Sequence, residues 1–151
     1  MNRKERRAAA RGKRITYERV LLPKHLDEMI IFSDWERVLE KLEHGQIEYR
    51  TNEDGKEVPV MLTAQGKWEE VVPAMRGWVL SWIGFNERFN LNHDVTPLDT
   101  VCRALYYDEL LTMEQVKAAQ ACLMEERKLF RSIDRDALAS AARTEQIKMY
   151  L

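Results

Sequence analysis

The chain has 151 residues, enough for one domain with a substantial core. Its apolar fraction of 45% and charged fraction of 32% are those of a globular protein, and no apolar run reaches the roughly 18 residues of a membrane span. Net charge is −1 but unevenly spread: residues 1–24 hold nine basic and two acidic side chains, a net +7, which leaves −8 for the remainder.

The opening, MNRKERRAAARGKR, has no apolar face. Arg3, Lys4, Arg6, Arg7, Arg11, Lys13 and Arg14 make it a basic arm, residues 1–14. Such an arm can dock electrostatically on nucleic acid, on an acidic partner, or on the acidic body of a second copy. No hydrophobic stretch follows to make a secretory signal. Together with two cysteines, Cys102 and Cys122, outside any C-x-x-C pair, this predicts a cytoplasmic protein with reduced thiols.

From residue 15 to 151 a single, mainly helical domain is expected. Ile15–Leu22 leans towards a strand, ended by Pro23. A helix is predicted over Ser33–His44, opened by a Ser33–Glu36 capping box and stopped by Gly45. Trp35, Val38, Leu39 and Leu42 form its apolar face.

The period then changes. Ile47, Tyr49 and Thr51 alternate with polar residues, as do Val58, Val60 and Leu62, around an Asp54-Gly55 turn. This predicts a β-hairpin over 46–63. Pro59 lacks a backbone donor, so its strand is expected at an edge, or with Pro59 facing outward.

The segment 67–90, KWEEVVPAMRGWVLSWIGFNERFN, holds three of the four tryptophans. Trp68, Val71, Met75, Trp78, Val79, Trp82, Phe85 and Phe89 recur at helical spacing. Pro73 is expected to kink or restart the pattern, so the central helix is placed from Pro73 to about Arg88. Three capped helices follow. Thr96-Pro97 opens the first, with Leu98, Val101, Cys102 and Leu105 inward. A Thr112–Gln115 capping box opens the second, with Val116, Ala119, Leu123 and Phe130 inward. Asp134 caps the third, which is expected to end near Leu151. The fold class is therefore mainly α (α+β): a helical bundle around a Trp-rich central helix, with one small β-hairpin.

No catalytic pattern is recognisable. There is no nucleophile elbow and no glycine-rich phosphate loop. His25, His44 and His93 lack a second ligand at metal spacing, so neither metal nor cofactor is expected. Glu125 and Glu126 read as a solvated face. The chemistry that remains is binding. Asp34, Glu36, Glu40 and Glu43 belong to a dense acidic stretch, and Trp78 and Trp82 exceed what one surface-facing helix needs. These six are the candidate partner surface.

The opening fourteen residues resemble the start of many short, uncharacterised proteins of bacterial phages and prophages. That resemblance implies a mobile-element origin and carries no activity or site residues with it. The expected function is a non-enzymatic, phage-type accessory protein in the bacterial cytoplasm. It would bind a bacterial protein as inhibitor or adaptor and modulate the host, with self-association as a homodimer. The alternatives are a nucleic-acid-associated protein using the arm, or a structural or assembly protein of a particle.

Overall fold

The computed structural model describes residues 28–138 and 140. The basic arm, the Ile15–Leu22 stretch and the approach to Leu151 lie outside the described residues. The elements are α1 (Glu28–Glu43), β1 (Glu48–Thr51), β2 (Glu57–Leu62), β3 (Trp68–Glu70), α2 (Val71–Phe89), α3 (Thr96–Tyr106) and α4 (Met113–Ser132). A further helical stretch begins at 135. The fold is mainly α with a small antiparallel sheet, as the sequence periods imply.

α1 starts five residues before Ser33, so the Ser33–Glu36 capping box does not form there. Burial explains the longer helix. Phe32 is fully buried and lies on the same face as Trp35 and Leu39, three and seven residues on. Gly45, at φ 65°, ends the helix as expected. Gln46 N–H bonds the Lys41 carbonyl and Gly45 N–H that of Leu42, the paired bonds of a Schellman stop.

The sheet has the order β1-β2-β3, one strand more than the expected hairpin. Its two turns are built alike. Gly55 N–H bonds the Asn52 carbonyl, and Gly66 N–H bonds that of Thr63. Both glycines are in the left-handed region and both precede a lysine. Trp68 therefore sits on a strand, not on the central helix. It is 40% exposed, with the Arg50 guanidinium stacked on its ring at 3.9 Å. β2 is the central strand, so the expectation that Pro59 marks an edge is also corrected. Pro59 pairs with Tyr49, and Val60 with Glu70. By the alternation of antiparallel ladders, the nitrogen of Pro59 points to where β3 has already become α2. No ladder hydrogen bond is lost there.

α2 begins at Val71, which makes Pro73 its third residue. Its missing N–H falls among the first four, which have no intrahelical acceptor, so no kink is required. α2 is the central element. Trp82 and Met75 are fully buried, and Trp78 meets Phe32 of α1 at 5.4 Å between ring centroids. Phe32 in turn meets Phe130 of α4 at 5.4 Å. Edge-on aromatic pairs thus link three helices. In α4, Val116, Ala119, Leu123 and Phe130 are all buried, as their spacing predicts.

Thr96 is the first residue of α3 and not its cap: Val95 holds the cap position without a side-chain bond, and Asp94 just before it accepts the Thr96 N–H on Oδ1 at 3.0 Å. The Thr112–Gln115 box is complete in both directions. Asp134 Oδ2 accepts the Ala137 N–H at 3.0 Å, the expected cap of the last helix.

Candidate functional site

The connection from Asn90 to Val95 passes over α4 and carries one ring inward. The Asn86 side chain clasps its backbone, donating to the His93 carbonyl at 2.7 Å and accepting from the His93 N–H at 3.2 Å. The His93 imidazole is consequently held 3% exposed between α2 and α4. Its Nε2 lies 2.8 Å from Glu126 Oε2. The other oxygen, Oε1, accepts the Trp78 indole N–H at 2.7 Å. Cys122, one helical turn before Glu126, places Sγ 3.5 Å from the same Nε2 and 3.4 Å from the Asp94 carbonyl oxygen.

Glu126 is 0% exposed, which corrects its expected place on a solvated face. A carboxyl group that deep needs its oxygens occupied, and both are. Trp82 adds an unsatisfied group. Its ring makes a T-shaped contact with His93 at 5.3 Å, and its buried Nε1 has no hydrogen-bond partner among the described residues.

Burial, and then the charge of Glu126, push the Cys122 thiol up to about 12. Next to it, hydrogen bonds from the Thr96 hydroxyl and backbone hold the Asp94 carboxyl below its usual range. Chemically, the cluster brings one imidazole nitrogen, one sulfur and one carboxylate oxygen within 4.8 Å of one another, and these are ligand atoms for a metal ion. It is closed to a substrate, because all three side chains are buried.

A second feature is open to solvent. A cleft of about 450 Å³ lies between the β1–β2 hairpin, the start of α2 and the end of α3. Tyr49 from β1 and Tyr106 from the end of α3 both line it, 48% and 56% exposed. Lys56 reaches over the Tyr106 ring at 5.5 Å. Four acids line the cleft, Asp54, Glu57, Glu70 and Asp108, against Lys56. Asp108 is brought there by the stop of α3, where it takes φ 55°.

The residues nominated as a partner surface divide. Glu36 and Glu40 are exposed, and Glu36 pairs with Arg127 across the α1–α4 seam. Glu43 accepts from Gln120 on the same seam at 3.3 Å. Asp34 is a clamp: it accepts the Ala64 N–H at 2.8 Å and ties the second hairpin turn to α1. Trp82 is 0% exposed, and Trp78 is partly buried with its indole N–H given to Glu126. Arg3, Lys4, Arg6, Arg7, Arg11, Lys13 and Arg14 are outside the described residues.

No described helix is long and apolar enough to cross a membrane. Compared with protein-family models, curated proteins and solved structures, the chain has no significant match in any of the three.

Proposed function

We propose that this chain is a non-enzymatic accessory protein that binds another protein, as inhibitor or adaptor, through the tyrosine-walled acidic cleft. The observation that carries the reading is the composition of that cleft. Two half-exposed tyrosines provide flat apolar contact, and four carboxylates face one lysine. Aromatic walls with excess negative charge suit a cationic segment of a partner, with an arginine or lysine lying against a tyrosine face. The resemblance of the opening to phage and prophage proteins makes a bacterial protein the expected partner, in the bacterial cytoplasm. Self-association is a competing use of the cleft, because the chain's own first 24 residues carry +7.

A nuclease-treated pull-down from bacterial lysate tests this, with a photo-crosslinking residue at position 49. Four proteins are compared: full-length chain, a chain lacking residues 1–14, Tyr106→Ser and Glu57→Lys. The expected result is one stoichiometric protein, retained without the arm, cross-linked from position 49 and lost with both cleft variants. Retention by the cleft variants would overturn the reading. Loss of all binding after nuclease would move the assignment to nucleic acid held by the basic arm. Concentration-dependent oligomers lost on removing the arm would move it to self-assembly.

A further inference from the structure

We propose that His93 Nε2, Cys122 Sγ and Glu126 Oε2 hold one divalent transition-metal ion, zinc by donor type, which locks the Asn90–Val95 connection onto α4. This site is separate from the cleft and stands whether or not the cleft binds a protein.

The geometry is close to a coordination shell. Zinc bonds of about 2.3 Å to sulfur and 2.0–2.2 Å to nitrogen and oxygen, at tetrahedral angles, set N···S and S···O at about 3.6 Å and N···O at about 3.4 Å. The observed separations are 3.5 Å for N···S, 3.8 Å for S···O and 2.8 Å for N···O. Two of the three edges already fit. The third is shortened to hydrogen-bond length and must open by about 0.6 Å for the ion to enter. On loading, Cys122 releases its thiol proton to solvent, and the proton held between His93 Nε2 and Glu126 Oε2 moves through solvent to His93 Nδ1, which frees the Nε2 lone pair and leaves the imidazole neutral.

Three further observations favour an ion. Charge is the first: a thiolate and a carboxylate together neutralise a divalent cation, so a fully buried site carries no net charge. Orientation is the second. Trp78 occupies Glu126 Oε1, which leaves Oε2 as a single-point ligand, and Asn86 fixes the backbone that presents His93. Outer partners of this kind are what set first ligands in place. The third is Nε1 of Trp82, unpartnered among the described residues, on a side chain 0% exposed and in ring contact with His93. It marks an acceptor place left open beside the His93 ring, which an oxygen bound with the ion would fill. The mixed sulfur, nitrogen and oxygen donors suit zinc and its tetrahedral analogue cobalt, not magnesium or calcium.

The test uses full-length protein stripped of metal by chelation and titrated with Co²⁺. Binding is expected at one ion per chain. It should bring a near-ultraviolet thiolate-to-cobalt charge-transfer band and the visible bands of a tetrahedral ion, both bleached by Zn²⁺. The chain has two cysteines. Cys102→Ser should keep the band and Cys122→Ser should lose it. Cys102→Ser decides the matter even where Cys122→Ser does not fold. Trp78→Phe should weaken Co²⁺ binding by about 10-fold or more through the lost hold on Glu126. Glu126→Gln and His93→Gln should weaken it further. Absence of the band, its loss in Cys102→Ser, or unchanged affinity in Glu126→Gln would overturn the assignment.

Discussion

Trp78 and Glu126 are 48 residues apart in the chain, and the indole N–H of one meets the carboxyl of the other at 2.7 Å. The bond joins α2 to α4 at the point where His93 also arrives, so three segments share one carboxyl group. Removing it should be far more damaging than removing any one donor. On chelator-treated protein, Glu126→Ala is expected to cost about 3–5 kcal/mol, because two buried partners lose their acceptor. Trp78→Phe is expected to cost about 1–3 kcal/mol. The double variant should lose less than the sum of the two, as read from urea denaturation midpoints.

The two tryptophans Trp68 and Trp82 should behave oppositely. Trp82 is fully buried, and Trp82→Ala is expected to lose about 3–5 kcal/mol of stability. Trp68 sits on an exposed strand beneath Arg50, and Trp68→Ala should lose only about 0.5–1 kcal/mol. Acrylamide should quench the fluorescence of a chain retaining only Trp68 strongly, and of one retaining only Trp82 weakly. Equal quenching would place Trp68 back on the helix.

The complete box at Thr112 gives α4 its defined start. Thr112→Ala leaves the Gln115 N–H without its side-chain acceptor and should cost about 1 kcal/mol. Thr112→Ser should restore nearly all of it. Thermal unfolding of the three proteins checks the order.

Cys102 supplies a pH dependence away from the proposed metal ligands. Burial, and then the charge of Asp99, raise its pKa above the ordinary 9.0. The native state therefore holds that proton more tightly than the unfolded chain does. Its contribution to stability is whole below pH 9.0 and is lost as pH rises above it. The stability difference between the wild-type chain and Cys102→Ala should decline above that pH, measured by urea unfolding across an alkaline series. At neutral pH, Cys102 should be alkylated much more slowly in folded than in unfolded protein.

Local patterns in the sequence accounted for most of the helices. The alternation of 46–63 produced a hairpin, Gly45 stopped α1, and Thr112 and Asp134 capped where their side chains can reach a free N–H. These are short-range effects, and a few residues suffice to decide them. The second hairpin turn was also legible in principle, since Thr63-Ala64-Gln65-Gly66-Lys67 repeats the glycine–lysine placement of Asn52-Glu53-Asp54-Gly55-Lys56. Helical spacing around Trp68 masked it, because a three-residue strand followed at once by a helix leaves too little alternation to detect.

The buried cluster was of a different kind. Glu126 falls at the spacing of the inward stripe of α4, between Leu123 and Phe130, and Cys122 stands one turn before it. That pattern marks a carboxyl group turned towards the core. It does not say what meets it there. His93 comes from a connection without periodicity, and Trp78 from a helix with several large residues on its inward face. Sequence by itself determined most of the helices, the first hairpin and most of the apolar faces, because hydrophobic period and capping act over a few residues. Tertiary packing alone decided that Trp78, His93, Cys122 and Glu126 meet. A buried polar atom must find its partner wherever the fold brings one within hydrogen-bond reach, and distance along the chain carries no record of that.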